Sequence, residues 1–64
     1  MGKVRQGNYI FVFWLGDHRP SHVHVYRDGR LIVKWDLEDD VAMKGRANRQ
    51  ILRYIDELRR EGRL

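Results

Sequence analysis

Residues 22–36 read HVHVYRDGRLIVKWD, and in this stretch two runs of strand-forming residues flank Asp28-Gly29. Asp-Gly is typical of a two-residue type I′ turn, because both residues adopt positive φ angles at little cost. The turn predicts a hairpin in which Tyr26 pairs with Leu31. Continued without interruption, this register produces a more apolar face, which we expect to meet a helix. That face carries His22, His24, Tyr26, Leu31, Val33 and Trp35.

A strand before this hairpin and a helix after it complete the predicted elements. Residues 8–15 are aromatic or aliphatic at nearly every position, which is typical of a strand covered on both faces. Residues 37–45 form a polar connection, with a short edge segment at residues 41–43. Residues 47–61 repeat apolar side chains at helical spacing and precede Gly62, a residue type that favours helix termination. The expected core stripe of this helix is Ala47, Ile51, Tyr54, Ile55 and Leu58.

Length and composition limit both architecture and function. The chain has 64 residues, which predicts a single domain over residues 1–64. Its fold class is α+β: a three-stranded antiparallel sheet in the order β-β-β-α, with the C-terminal helix packed on one face. The absence of cysteine excludes disulfides and thiolate metal sites and favours a cytoplasmic location. The longest apolar run, residues 9–15, is far shorter than the ~20 residues of a membrane helix, so no membrane association is expected.

Four titratable side chains fall within eight residues: Asp17, His18, His22 and His24. If residues 22–27 form a strand, His22 and His24 share a face, and the preceding loop brings His18 toward them. Three imidazoles can act as general acid and base near neutral pH. They can also hold a divalent metal ion such as zinc with an open coordination position. A purely structural role, with ring nitrogens bonded to the backbone, is the third interpretation.

The stretch DHRPSHVHV at residues 17–25 resembles the motif of a small bacterial family, domain of unknown function 4160. Members of that family show an aromatic strand, then D-H-x-P-x-H-x-H-V, a hairpin and a C-terminal helix. The resemblance extends over residues 9–60, and it implies that the motif positions are Asp17, His18, Pro20, His22 and His24. Similar proteins are often encoded beside a second small protein and are classed as toxin–antitoxin components. The resemblance therefore implies a cognate small partner protein.

Arginine carries most of the positive charge, since ten of the thirteen basic residues are arginine and the formal net charge is +4. The planar guanidinium suits phosphate groups. Four arginines recur at a spacing that places them in one row on the predicted helix: Arg46, Arg49, Arg53 and Arg60. We expect this row and Arg19 to bind nucleic acid; the alternative is a solvated helix face. Lys44 and Arg46 lie where the helix dipole disfavours positive charge, and no cap is evident, which points to an anion or an acidic partner there.

These features support three hypotheses of different classes. The first is a toxin–antitoxin component that binds or cleaves RNA, a candidate metal-independent ribonuclease without a cofactor, whose catalytic groups are His18, His22 and His24. The second is a non-catalytic module that docks an acidic protein partner or DNA. The third is a regulator that binds a divalent metal ion through the histidines. RNA is favoured over DNA, and a strand that is apolar on both faces predicts a homodimer or a hetero-complex.

Overall fold

The computed structural model describes residues 2–13 and 22–64, which contain five strands and one helix. The elements are β1 (Gly2–Gln6), β2 (Tyr9–Phe13), β3 (His22–Arg27), β4 (Arg30–Asp36), β5 (Val41–Gly45) and α1 (Arg49–Arg60). The strands form one antiparallel sheet in the order β1-β2-β3-β4-β5. The predicted three-stranded sheet is therefore wrong, whereas the C-terminal helix is confirmed. Neither of the two ranges contains a helix with the length and hydrophobicity that a membrane crossing requires.

The two strands that account for this difference are the edges of the sheet. β1 carries the sequence Lys3-Val4-Arg5, whose alternation of charged and apolar side chains is typical of an edge strand with one solvated face. Val4 packs against the core. β5 includes the short segment expected at residues 41–43 and continues to Gly45, and all of its residues are exposed. Pairing of β1 with β2 and of β5 with β4 thus enlarges the predicted sheet on both sides.

The turn at Asp28-Gly29 is confirmed, but the hairpin register changes beyond it. The two residues have φ angles of 53° and 77°, as a type I′ turn requires. The first two residue pairs after the turn are those predicted. The third pair joins Val25 to Val33, which leaves Ile32 as an extra residue in a β-bulge. Every later pair of this hairpin is displaced by one residue from the predicted register.

The bulge determines which face of the hairpin meets the helix. Val23, Val25 and Val33 lie on the face that α1 covers, together with alternate residues of β2. The predicted position of His22 and His24 on the helix side is wrong, because both lie on the opposite face. Burying an aliphatic side chain contributes roughly 1.5–3 kcal/mol, whereas a buried imidazole needs hydrogen-bond partners. The buried core consists of Tyr9, Phe11, Phe13, Val23, Val25, Val33, Ile51, Ile55 and Leu58.

Helix α1 is shorter than the predicted range 47–61, but its apolar stripe is confirmed. Three of the five expected residues are fully in the core, while Ala47 and Tyr54 are partly buried against it. The Tyr54 ring makes edge-on contacts with Phe11 and Tyr9, with centroid separations of 6.2 and 6.3 Å. This aromatic group joins the first turns of the helix to the middle of β2.

Both ends of α1 are capped within the chain. At the start, Oδ1 of Asn48 accepts a hydrogen bond from the Ile51 N–H at 2.8 Å. The Asn48 Nδ2 group donates to the hydroxyl of buried Tyr9 at 2.9 Å. At the end, Gly62 has a φ of 75° and donates its N–H to the Arg59 carbonyl, as expected for a terminating glycine. The predicted absence of an N-terminal cap is wrong, so the helix start does not call for a bound anion.

Polar contacts at opposite edges of the sheet hold the helix in place. Arg59 pairs with Asp40 at 2.8 Å and also donates to the Leu37 carbonyl, both in the turn between β4 and β5. At the other edge, Gln6 of β1 donates to Glu57 at 3.3 Å. The helix is therefore attached to the first and last connections of the sheet, as well as to the core between them.

Replacement of Asn48 by alanine is expected to lower the free energy of unfolding by about 1–2 kcal/mol. The substitution removes the helix cap and one partner of the Tyr9 hydroxyl. Asn48→Asp is the matched control, because a carboxylate accepts hydrogen bonds from both the Ile51 N–H and the Tyr9 hydroxyl. Urea denaturation followed by circular dichroism measures the difference, and equal stability of the alanine variant and the wild type would contradict the role of the cap.

Gly45→Ala is expected to destabilise the protein more than Gly29→Ala. Both glycines have a φ of 77°, so each substitution carries about 1–2 kcal/mol of left-handed strain. A Cβ atom at Gly45 would also lie 2.2 Å from the Ile32 carbonyl oxygen, whereas one at Gly29 would meet nothing within 4 Å. Chemical denaturation compares the two variants. Identical losses of unfolding free energy in the two variants would rule out the close approach of β5 to the bulge.

Candidate functional site

The side of the sheet away from α1, which we call the open face, has a composition unlike that of the core. Strand alternation and the observed register identify its residues. They include Lys3, Arg5, Ile10, Val12, His22, His24, Tyr26, Lys34 and Lys44. Each of these side chains is exposed or half-buried. The open face therefore combines four permanent cations, two imidazoles, one phenol and the buried carboxylate of Asp36 with a small apolar centre.

His22 and His24 lie side by side on β3, near the middle of the open face. Their ring centroids are 5.2 Å apart, and the ring planes are inclined at 81°. The Tyr26 ring follows at 6.3 Å from that of His24. The prediction that the two histidines share a strand face is confirmed. His18, the third histidine of the predicted cluster, and Arg19 lie outside the described residues.

The environment of His24 favours its neutral form. Partial burial lowers the pKa of His24 below its ordinary value of 6.5, and the nearby His22 and Lys34 lower it further. Lys34 lies directly opposite His24 in the β3–β4 register. A neutral imidazole has one ring nitrogen that accepts a proton, so at neutral pH His24 has the protonation state required of a general base.

The carboxylate of Asp36 lies opposite His22 in the register, and it accepts hydrogen bonds from backbone N–H groups of the same chain. Asp36 is only 7% exposed. Its Oδ1 atom accepts hydrogen bonds from the N–H groups of Glu38 and Asp39, at 2.8 and 3.2 Å. These bonds stabilise the turn that leads into β5, and they direct one oxygen of the Asp36 carboxylate toward the backbone. The acidic residues that follow, Glu38, Asp39 and Asp40, are exposed in the turn.

The helix arginines do not share a surface with the histidines. Arg49, Arg53 and Arg60 are exposed on the side of α1 opposite its buried stripe, so the sheet and a helix about 10 Å across separate them from the open face. Arg60 is also paired with Asp56 at 3.1 Å. Arg46 is exposed between β5 and α1. Among the residues that the structure describes, His22 and His24 are therefore not brought together with Arg49, Arg53 and Arg60.

The cations that do lie near the histidines were not among the predicted site residues. Lys3 and Arg5 belong to an edge strand that lies outside the predicted elements, and the predicted register puts Lys34 on the face without histidines. Lys44 belongs to β5 rather than to the predicted helix start. The alternation in residues 3–5 was the available signal for the first pair. No local signal identifies Lys34, because its face depends on the bulge.

A metal site is not assembled from the part of the chain that the structure describes. Within residues 2–13 and 22–64, no group of three or more His, Cys, Asp or Glu side chains is placed to hold a metal ion. The predicted ligand set included His18, which is not among those residues. A divalent metal at the full histidine cluster therefore stays a prediction.

These features define a small α+β domain with a cationic, histidine-bearing sheet face. The chain belongs to the family described as Domain of unknown function (DUF4160), whose model matches residues 8–63. This match confirms the family that the histidine motif suggested. It covers every element except β1, which precedes it. The comparisons with curated proteins and with solved structures found no match.

Acidification is expected to destabilise the protein through His24. The pKa of His24 is lowered in the folded state, so below pH 6.5 the unfolded chain binds more protons at this position than the folded one. Stability is therefore retained above 6.5 and lost as the pH falls through the window between the unfolded and folded pKa values. Urea denaturation at about pH 7.5 and 5.5 measures this loss, which should be smaller in His24→Gln.

A direct titration separates the causes of this shift. Two-dimensional NMR of the His24 ring should give a pKa below 6.5 in the wild type and a higher value in His22→Gln and Lys34→Gln, which each remove one neighbouring charge. A His24 pKa at or above 6.5 in the wild type would contradict the lowering by burial and by the neighbouring charges.

Proposed function

We propose that this protein binds RNA on the open face and cleaves it without a metal ion, with His22 and His24 as the acid–base pair. The observation that carries the proposal is the pair of imidazole rings 5.2 Å apart among the cations of that face. Two such groups are what cleavage of an RNA phosphodiester by its own 2′-hydroxyl requires, one to remove a proton and one to supply a proton. RNA, rather than DNA, carries this hydroxyl.

The reaction assigns one role to each ring. His24, in its neutral form, accepts the proton of the 2′-hydroxyl, and the 2′-oxygen forms a bond to the adjacent phosphorus. The bond from phosphorus to the 5′-oxygen breaks, and protonated His22 donates its proton to that leaving oxygen. The products are a 2′,3′-cyclic phosphate and a free 5′-hydroxyl. Exchange of one proton with water at each ring restores the starting state, so neither an oxidant nor a cofactor is consumed.

Lys34 supports this chemistry electrostatically. Directly opposite residues of an antiparallel pair have Cβ atoms about 4.5–5.5 Å apart, so Lys34 lies beside His24. Its ammonium group stabilises the negative charge that develops on the phosphoryl oxygens, and the same charge helps to keep His24 neutral. His18 and Arg19 belong to the proposal as further candidates for the acid–base and phosphate-binding roles.

The helix row supports a second candidate function, docking of an acidic partner protein. Leu52 is 39% exposed on α1, and the helix carries Arg49 and Arg53 on the neighbouring positions. Arginines of one sign around an apolar side chain are complementary to an acidic partner surface. A ribonuclease also needs an inhibitor in the cell that produces it. We therefore place the chain in the cytoplasm as the RNA-cleaving component of a toxin–antitoxin pair, with its cognate partner on this helix.

The purified protein is expected to cleave a 5′-labelled single-stranded RNA to fragments that end in 2′,3′-cyclic phosphate. His22→Ala and His24→Ala should each reduce the cleavage rate about 100-fold or more, since each removes an acid–base group. Arg63→Ala is the matched control, because Arg63 is exposed and lies near Glu61 at the end of the chain. Circular dichroism of each variant verifies its fold.

Two further conditions distinguish the mechanism from its alternatives. Cleavage should persist in EDTA, and a substrate with deoxyribose at the cleaved positions should resist. Loss of cleavage in EDTA would favour the metal-binding alternative. If the wild-type protein leaves the RNA intact, the catalytic role is refuted and the docking function remains. Docking is tested with Leu52→Glu and Arg53→Glu, which should each abolish complex formation with the cognate protein.

A further inference from the structure

One row of residues crosses all five strands of the open face. Lys3 pairs with Val12, Val12 with His24, His24 with Lys34, and Lys34 with Lys44. Paired residues of an antiparallel sheet project from the same face, so these five side chains form a continuous line perpendicular to the strands. We call this line the cation row. It carries a lysine at each edge of the sheet and the imidazole of His24 between them.

The spacing of the cation row is set by the sheet. Adjacent strands lie about 4.8 Å apart. Lys34 is therefore one strand spacing from His24, and Lys44 is two strand spacings, about 10 Å, from His24. Lys3 lies about 10 Å from His24 on the other side. No acidic residue of the described chain takes part in this row. Asp36 lies on the same face, two residues along β4 from Lys34, but its Oδ1 atom accepts hydrogen bonds from the backbone of the next turn. The ammonium groups of the row are therefore placed to meet a ligand that lies along it.

The neighbouring row has a different character. Arg5 pairs with Ile10, Ile10 with Tyr26, and Tyr26 with Leu31, which is 38% exposed. The Tyr26 ring is half-buried beside His24. An aromatic ring flanked by aliphatic side chains provides a stacking surface for a nucleic-acid base. We call this line the stacking row.

Two parallel rows, one cationic and one aromatic and aliphatic, fit a nucleic acid that presents its phosphates along one side and its bases along the other. A single strand does this, because its bases are free to turn toward the protein. A double helix keeps its bases paired and stacked, so it can contact the cation row but cannot use the stacking row. The carboxylate side chains of an acidic polypeptide can pair with the lysines, but they have no ring that stacks on Tyr26.

We propose that the substrate is single-stranded RNA that lies across the strands, with its phosphates on the cation row and its bases on the stacking row. This inference rests on the proposed function, in that the phosphate nearest His24 is the one cleaved. The RNA strand crosses the sheet from β1 to β5. Lys3, Lys34 and Lys44 each neutralise one of its phosphates. The two rows thereby define the substrate class and the line on the sheet along which the RNA lies.

Binding is tested separately from cleavage with a 2′-O-methyl RNA oligonucleotide, which has no free 2′-hydroxyl to react. Fluorescence anisotropy over a series of salt concentrations should give a log–log slope near −2, about −0.7 for each of three phosphates. Lys3→Ala, Lys34→Ala and Lys44→Ala should each reduce this slope by about 0.7. Lys34→Arg keeps the charge and should keep the slope, which also guards against misfolding of the alanine variant. Arg63→Ala is the charge-matched control and should leave the slope unchanged.

Stacking has its own pair of variants. Tyr26→Ala should weaken binding of the single strand about 5- to 150-fold, the range for loss of one base–aromatic stack, and Tyr26→Phe should bind as the wild type does. The duplex of the same sequence should bind more weakly than the single strand, and Tyr26→Ala should not change its affinity.

The opposite results overturn the inference. They are a slope that falls in Arg53→Ala but not in the lysine variants, a duplex bound as tightly as the single strand, or polyglutamate bound as tightly as RNA. Such results leave the proposed cleavage intact if unmodified RNA is still cut in a manner that depends on His22 and His24. Conversely, row-dependent binding of the 2′-O-methyl strand without any cleavage of unmodified RNA supports the rows and refutes the proposed chemistry.

Discussion

The β-bulge at Ile32 is the feature on which the rest of this structure depends. The extra residue brings Val33 opposite Val25 and aligns the valines of both hairpin strands on one face. In the uninterrupted register Val33 would lie opposite His24, and each face of the hairpin would mix aliphatic and polar side chains. A single helix could cover such a hairpin only by burying imidazoles on one face or Lys34 on the other. The bulge separates the two kinds of residue, so one helix is sufficient to complete the core.

The same separation creates the open face. Once the valines of β3 and β4 face α1, His22, His24, Tyr26 and Lys34 must all face the other way, because side chains alternate along each strand. The pairing of the edge strands then adds lysine and arginine from segments distant in sequence. Partial burial among these neighbours favours the neutral form of His24. Core packing on one side of the sheet thus determines the electrostatics on the other side.

The candidate site was accessible to sequence reasoning only in part. His22 and His24 are two residues apart in a strand, so their shared face follows from local geometry and was correctly predicted. The cations beside them were missed, since Lys3 and Lys44 reach the histidines only through the pairing of β1 with β2 and of β4 with β5. Three of the four arginines predicted to form a row lie on α1, on its far side, whereas Arg46 precedes the helix. A row on one element carries no information about which other element lies next to it.

The sequence by itself determined the features that depend on neighbouring residues. These are the Asp28-Gly29 turn, the alternation along β2 and β3, the apolar stripe of α1 and its end at Gly62, together with the family identified by the histidine motif. Only the tertiary structure decided the five-stranded sheet, the register beyond the bulge and the face on which the histidines lie. A turn specifies the register of its nearest pairs, whereas burial of a whole apolar face involves many side chains at once. The free energy of burying that face exceeds the preference of the turn for an uninterrupted register, so β4 is displaced by one residue relative to β3.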